Sequence, residues 1–110
     1  MQTATIIGIE AGTISTTLTN TTSYVVPAST GAVITQLFAA NTSGAAVSVS
    51  VYVSNGTTNY ALCVNAPVAV GDTLDVLGAN KLTLAAGWYV ASSCSAATSA
   101  TLTMSVTQFV

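Results

Sequence analysis

Two stretches of this chain alternate strictly between apolar and polar residues, and this period of two is the feature that most constrains its fold. One stretch covers residues 47–54, where four valines alternate with serine and tyrosine. The other covers residues 101–107, where Leu102, Met104 and Val106 alternate with hydroxyl side chains. Successive side chains of a strand point to opposite faces of a sheet. Each stretch therefore predicts a strand with one buried face.

The remaining sequence favours the same class of structure. Thr, Val and Ile, which suit strands, are abundant, whereas the residues that usually fill helices are scarce. We predict one all-β domain over residues 1–110, a compact antiparallel β-sandwich of jelly-roll or Ig-like type with about eight or nine strands. The candidate strands, some of which we expect to merge, are residues 3–9, 13–19, 22–27, 32–40, 46–54, 58–65, 73–77, 80–84, 87–93 and 100–109.

Turn chemistry separates the candidate strands. The pair Asn55 and Gly56 is the strongest hairpin signal, because both residue types tolerate a positive φ. Further turns are expected at residues 41–44, 71–72, 78–80 and 86–87.

The near absence of charge limits what the chain can do. It has one Lys or Arg, three Asp or Glu and no His among 110 residues. General acids and bases, activated nucleophiles and metal ligands are drawn largely from these types, so we predict no enzyme activity, cofactor or metal site. A single basic residue cannot neutralise a phosphate backbone, and no nucleic-acid partner is expected.

The apolar runs are short. No stretch reaches the 18 or more continuous apolar residues that a membrane-spanning helix needs, and we expect no membrane partner. The first ten residues lack a basic start and a long apolar segment, so synthesis and folding in a cytoplasm are expected.

Two small groups of residues have competing interpretations. Asp72 and Asp75 could be two ligands of a calcium site, but such a site needs more oxygens, and a turn cap at Asp72 with Asp75 on a strand surface is the simpler hypothesis. Cys63 and Cys94 are either two free thiols or one disulfide, and a reducing cytoplasm favours free thiols.

The predicted surface is rich in hydroxyl groups and lacks the charges that usually keep strand edges apart. This composition favours a subunit that is covered by neighbours in an assembly, and a stable monomer is the alternative.

Trp88 and Tyr89 are adjacent, so in a regular strand one of them faces outward. A core tryptophan beside a surface or interface neighbour is favoured over a platform for sugar binding.

Several short motifs, in this order and spacing, resemble those of small virion proteins of tailed bacteriophages. They lie at residues 24–34, 39–49, 65–68, 71–74 and 81–87. In that family a Tyr-x-Val-Pro-Ala-Gly start leads to an Ala-Asn-Thr-Ser-Gly turn, and a Lys-Leu-x-Leu-x-Ala-Gly turn precedes a later strand. The resemblance covers residues 22–107. One departure is Trp88, which follows Gly87 where the family usually has an acidic residue.

The resemblance implies a non-enzymatic structural protein of the virion. We expect a capsid decoration or cement protein at the capsid surface, which binds the major capsid protein and neighbouring copies of itself as a homo-oligomer and stabilises the head. A neck, tail or baseplate component and a module that binds host-surface glycans are the alternatives.

The expected partner contacts are Ile6, Ile7, Ile9 and Trp88. The three isoleucines lie within residues 1–10, ahead of the stretch that carries the resemblance. This segment is interpreted either as an arm that grips a partner by strand addition or as the first strand of the domain itself.

Overall fold

The computed structural model describes residues 4–78, 80–96 and 99–109, and within these residues the chain forms strands and no helix. The prediction of an all-β fold made of two antiparallel sheets is confirmed. The strands are β1 (Ala4–Thr13), β2 (Gly31–Asn41), β3 (Val47–Ser54), β4 (Asn59–Val68), β5 (Thr73–Asp75), β6 (Leu82–Leu84), β7 (Tyr89–Cys94) and β8 (Ala100–Phe109).

The first sheet has five strands. Its order is β1-β8-β2-β5, and β6 pairs with the same edge of β2 as β5 does. Both short strands pair with β2 at different levels, β6 at residues 32–34 and β5 at residues 38–40. The C-terminal strand β8 therefore lies in the middle of this sheet, between β1 and β2. The second sheet has three strands in the order β4-β3-β7.

One apolar core fills the space between the sheets. It is built from the two alternating stretches found in the sequence, since Val49 and Val51 are buried on one side and Leu102 and Met104 on the other. Each large aliphatic side chain that is fully removed from water contributes about 1.5–3 kcal/mol, so this face-to-face packing is the main stabilising interaction of the fold.

The predicted strands at residues 13–19 and 22–27 are not strands. Thr13 ends β1, and residues 15–26, which we call the strap, run along the outer edge of β7 instead. The strap touches that edge at separate points, through backbone hydrogen bonds of Ser15 with Cys94 and of Thr19 with Ser92. Strand-forming residue types are present there, but pairing is interrupted by a turn that includes a hydrogen bond from the Ser23 N–H to the Asn20 carbonyl.

The polar face expected for β3 is partly covered. Ser50 and Ser54 are buried, although the alternation predicts that they face water. Ser54 accepts a hydrogen bond from the Gly56 N–H of the hairpin loop. Ser50 is covered by β4, which contains two register shifts opposite residues 49–52 of β3. At one of these irregularities the backbone N–H of Asn65 donates to Oγ of Ser50, at 2.9 Å. A bulged strand bends away from the regular pleat, and here it folds its backbone over the serine.

The turn after β2 is organised by Asn41, which is buried. Its side-chain NH₂ donates to the carbonyls of Ala45, Val68 and Ala69, at 2.8, 3.1 and 3.2 Å. Its Oδ1 accepts hydrogen bonds from both the N–H and the hydroxyl of Ser43. One amide thus shapes the turn predicted at residues 41–44 and ties it to the end of β4. The hairpin predicted at Asn55 and Gly56 is also confirmed, as the loop between β3 and β4.

The two cysteines are free. Cys63 on β4 pairs with Val51, and Cys94 on β7 pairs with Val49, so the whole of β3 separates them. Strands two places apart in a sheet are about 9–10 Å apart, whereas a disulfide needs Cα atoms within about 7 Å. The sheet order therefore prevents a disulfide between these two residues.

Candidate interaction surface

The five-stranded sheet turns one face to the core and the other to the outside. On β8, the even-numbered residues Leu102, Met104 and Val106 are buried, and the hydroxyl residues between them are half-exposed. Residues directly opposite one another in antiparallel strands project from the same face. The outward residues can therefore be assigned from the pairing with β8. On β2 and β8 this outer face consists of Gly31, Val33, Gln36, Phe38, Ala40, Thr101, Thr103, Ser105, Thr107 and Phe109.

The outer face is almost uncharged. Within the strands of the five-stranded sheet, its one ionisable side chain is Asp75, which pairs with Phe38 at the rim. The Asp75 carboxylate also accepts a hydrogen bond from the N–H of Gly78, at 3.0 Å. The face thus presents a row of hydroxyl groups on β8 beside apolar side chains on β2. Such a surface can form hydrogen bonds and bury apolar area.

Two of the three expected isoleucine contacts lie next to this face. Ile6 and Ile9 are 83% and 64% exposed, which makes them unusually accessible for residues on a paired strand. They pair with Thr107 and Ser105 of β8 and so project from the same side as the outer face. We call these two residues the isoleucine patch. Ile7 points the other way, and it packs against the core.

A bulge in β1 explains this arrangement. Ile6 pairs with Thr107 and Gly8 pairs with Val106, which leaves Ile7 as an extra residue. Gly8 has a φ of 90°, a conformation that glycine adopts far more readily than other residues. Because of the extra residue, Ile6 and Ile9 share a face although they are three positions apart, which regular alternation would not allow.

The segment interpreted as an arm or a first strand is placed in β1. Residues 4–10 pair with β8, while residues 1–3 lie outside the described part of the chain. The strap covers the far end of β1, where a carbonyl of Thr21 lies against Gly12. Between residues 4 and 10, no backbone pairing to the outer edge of β1 comes from any described residue.

Trp88, the fourth expected contact, lies immediately before β7 of the other sheet. Its ring stacks on that of Tyr60 from β4, with centroids 5.9 Å apart and an angle of 21° between the ring planes. Trp88 is half-buried and packs against the core, whereas Tyr60 is 51% exposed. The Tyr60 ring occupies one face of the indole, so the pair offers a partner the outer surface of Tyr60 and the remaining edge of Trp88. Tyr89 is also half-buried.

A short series of contacts connects Trp88 to the beginning of β1. The Val26 N–H donates to the Trp88 carbonyl at 3.0 Å. Two residues earlier in the strap, the Tyr24 hydroxyl donates to Oε1 of Gln108 at 2.6 Å. Gln108 in turn pairs with Thr5, next to Ile6. The structure therefore places the isoleucine patch and the aromatic pair toward the same end of the sandwich, without bringing Ile6 and Trp88 into direct contact.

Val33 and Phe38 were missed by the sequence analysis. The sequence does contain a signal for these two residues. Apolar side chains occur on both faces of residues 32–40, in contrast to the alternation of apolar and polar residues on β3 and β8. A strand that is apolar on both sides is either buried on both sides or exposes an apolar face. Here the second case applies, because Val33 and Phe38 stay half-exposed.

Other kinds of site are not found in the described residues. They contain no group of three or more side chains suited to holding a metal ion. Asp72 takes part in its turn through backbone groups, since its N–H donates to the Ala69 carbonyl and its own carbonyl accepts from the Asn41 N–H. A carboxylate cap is found in the following turn, where Asp75 accepts from the Gly78 N–H. The surface formed by residues 4–78, 80–96 and 99–109 has no pocket for a small ligand. None of these residues belongs to a helix that could span a bilayer.

Comparison with known proteins gives matches in structure alone. No protein-family model matches the sequence, and no curated protein matches it. Among solved structures, a chain from the acid-stable capsid of Helicobacter pylori bacteriophage KHP30 is 13% identical, with a TM-score of 0.55 over 100% of this chain and 94% of that chain.

Two further structures are similar at lower scores. A protein of Bacillus endospore appendages, described as disulfide-linked pili, is 20% identical over 99% of this chain and 85% of that chain, with a TM-score of 0.48. A pentameric capsid protein from metagenomic phage sequences is 17% identical over 94% of this chain and 61% of that chain, with a TM-score of 0.46. The likeness to the KHP30 chain establishes a shared fold, and the three neighbours are capsid or pilus proteins.

Proposed function

We propose that this protein is a capsid decoration or cement protein of a tailed bacteriophage, which binds the major capsid protein at the surface of the head and stabilises the particle. The observation that carries the proposal is the isoleucine patch. Ile6 and Ile9 are the exposed apolar residues of a strand whose backbone is paired with β8. A partner that covers them gains apolar burial without first ordering a flexible segment.

Three further observations support a structural role. The fold is shared with a chain of the KHP30 capsid. The motifs between residues 22 and 107 resemble those of small phage virion proteins. The outer face beside the isoleucine patch offers hydroxyl groups and apolar side chains with Asp75 at its rim. Cementing requires broad contact between subunits rather than reactive groups, and such contacts add up over the many copies on a head.

Trp88 belongs to this proposal as a secondary contact. It stacks with Tyr60 toward the same end of the sandwich as the isoleucine patch, so one partner surface could cover both. Because part of the indole already packs against the core, we expect Tyr60 to supply more of the contact than Trp88 does.

Heads of the phage that encodes this chain, produced without it, provide the test. Purified wild-type protein is added, the bound copies are counted after gradient sedimentation, and the temperature of DNA release is measured. We expect the wild type to bind and to raise this temperature. Burying one Ile side chain is worth about 1.5–3 kcal/mol, so the double variant Ile6→Ser with Ile9→Ser should bind at least about tenfold more weakly.

Val70→Ser is the matched control, because Val70 is an exposed apolar residue in the turn after β4. It should bind as the wild type does. The proposal is wrong if wild-type protein does not bind heads. Recovery on isolated tails would favour the tail or baseplate alternative, and a thermal shift with glycans alone would favour a glycan-binding module.

A further inference from the structure

Three of the four sheet edges are protected against pairing with other chains. The outer edge of β7 is covered by the strap through Ser15, Thr19 and Val26. The outer edge of β4 is broken by two register shifts and contains Pro67, which has no N–H to donate. Bulges, prolines and covering segments are known ways of preventing contact between edges.

The edges of the five-stranded sheet differ. At one side, β5 and β6 have three residues each, too few for extended pairing. At the other side, β1 is interrupted by the bulge at Ile7, and no described residue pairs with its outer edge between residues 4 and 10. None of the features that protect edges in this protein covers the outer face of the five-stranded sheet, which is the broadest uncovered surface of its strands.

The outer face has the size that a dimer needs. The three long strands have ten or eleven residues, and β5 and β6 extend the sheet by a fourth row. At about 3.3 Å per residue and about 4.8 Å between strands, this face measures roughly 33 Å by 19 Å, or about 600 Å². Two copies packed face to face would bury roughly 1,200 Å² in total, which is the lower limit of standard specific interfaces.

The charge distribution permits a second copy of this chain as the occupant. A two-fold contact brings each patch against itself, so a charged face would repel its own copy. The outward residues of β2 and β8 are uncharged, and the Asp75 carboxylate on the edge strand β5 pairs with Phe38. Toward the centre, Phe38 pairs with Thr103, which also pairs with Ala11. The aromatic ring therefore has hydroxyl and methyl groups on the β8 side and one carboxylate on the β5 side, at the margin of the face. Aromatic residues are enriched in the cores of interfaces, and charged residues are depleted there.

We propose that two copies of this chain pack the outer faces of their five-stranded sheets against each other around a two-fold axis, with Phe38 and Thr103 near the centre. Sheets packed in this way lie about 10 Å apart with strands inclined by about 30°. Ile6 is several residues along and two strands across from Phe38, so it lies at the rim of this interface. The dimer does not depend on the proposed function, because it forms without a capsid.

Sedimentation equilibrium of the full chain at concentrations up to about 1 mM, the weak end of specific affinity, tests the proposal. We expect a monomer–dimer equilibrium in the wild type. Phe38→Asp and Thr103→Lys should each weaken it at least about tenfold, since each places two like charges in a desolvated contact. Val70→Asp introduces a charge at an exposed valine outside the face and should leave the equilibrium unchanged.

Circular dichroism and thermal melting identify any variant that has lost its fold, and Thr103→Lys is the milder change because Thr103 is half-exposed. A wild type that remains monomeric at the highest concentration overturns the proposal. The proposal is also overturned if the dimer persists in both face variants, or if Ile6→Asp dissociates it while Phe38→Asp does not. Growth into oligomers larger than a dimer would overturn it as well. Because no heads are present, these outcomes are independent of the test of capsid binding.

Discussion

The Asn41 side chain donates a hydrogen bond to the carbonyl of Val68, 27 residues further along the chain, at 3.1 Å. This contact joins the turn after β2 of the five-stranded sheet to the end of β4 in the three-stranded sheet. It is one of three carbonyls that lie within hydrogen-bond distance of the same NH₂ group and share its two hydrogens. Asn41 is therefore the polar link between the two layers on this side of the core.

Asn41→Ala should reduce the free energy of unfolding by about 2–4 kcal/mol, because buried carbonyls lose their donor and the turn loses its acceptor. Urea unfolding followed by fluorescence of Trp88 measures the change. Asn59→Ala is the control, since Asn59 is exposed at the start of β4, and it should stay within about 0.5 kcal/mol of wild type. Equal effects of the two substitutions would show that Asn41 has no special role.

Gly12→Ala should destabilise the protein by about 1–3 kcal/mol, because the added methyl group would overlap the carbonyl of Thr21 in the strap. At Gly44, no atom lies within 4 Å of an added methyl group, so Gly44→Ala should leave stability unchanged or raise it by up to about 1 kcal/mol. Thermal unfolding of both variants in parallel gives the comparison. If Gly12→Ala melts as Gly44→Ala does, the strap is not held against β1.

The native protein should expose one slowly reacting thiol. Cys94 is buried, and Cys63 is half-buried on β4. Burial raises the pKa of the Cys63 thiol above its ordinary value, and a backbone hydrogen bond at Val51 opposes this rise only in part. At pH 8 the thiolate fraction, and hence the alkylation rate, should be lower than for a free cysteine. Iodoacetamide labelling followed by mass spectrometry should find Cys63 modified first and Cys94 modified only after unfolding.

Cys63→Ser should remove the labelling of the folded protein altogether. An intact mass 2 Da below that of the reduced chain before labelling would indicate a disulfide, which contradicts the separation of these residues by β3.

Stability should decline at alkaline pH. Burial, and to a smaller extent the charge of Glu10, raises the pKa of the Tyr24 hydroxyl above its ordinary value. The pKa of Cys63 is raised too. Both groups therefore stabilise the fold fully below their unfolded pKa values, about 8.5 for cysteine and about 10 for tyrosine, and this stabilisation is lost as the pH rises through the higher folded values.

Urea unfolding between pH 7 and pH 10.5 measures this decline. Cys63→Ser should reduce the loss of unfolding free energy that begins near pH 8.5. Tyr24→Phe should reduce the loss that occurs near pH 10. Tyr24→Phe should also cost about 1 kcal/mol at pH 7, because the hydrogen bond to Gln108 is lost. A stability that stays constant to pH 10.5 in the wild type would contradict these assignments.

How well the sequence predicts the structure differs between elements. The alternations around Val49 and Met104 predict their strands and buried faces correctly, because burial between two sheets imposes a period of two. The strap was predicted as two strands, since its composition suits a strand, but pairing depends on which edge is available in three dimensions. Local sequence does not contain that information.

The candidate surface was predicted only in part. Ile6 and Ile9 are exposed on one face and Ile7 packs inward, an arrangement that depends on the bulge beside Gly8. A bulge shifts every later side chain by one position. A prediction that assumes strict alternation therefore places Ile6 and Ile9 on opposite faces of the strand. Phe38 could have been found, because it interrupts the alternation of its own strand.

The position of β8 affects how the protein can be made. β8 lies between β1 and β2 in the five-stranded sheet, although residues 14–99 separate it from β1 in the sequence. The sheet therefore lacks its middle member until β8 has been synthesised, and β1 has no strand with which to pair before then. Pairing between strands that are far apart in the sequence is slow to form, and the exposed valines and isoleucines can meanwhile aggregate. Rapid overproduction should therefore favour inclusion bodies, and slower synthesis at low temperature should favour correctly folded product.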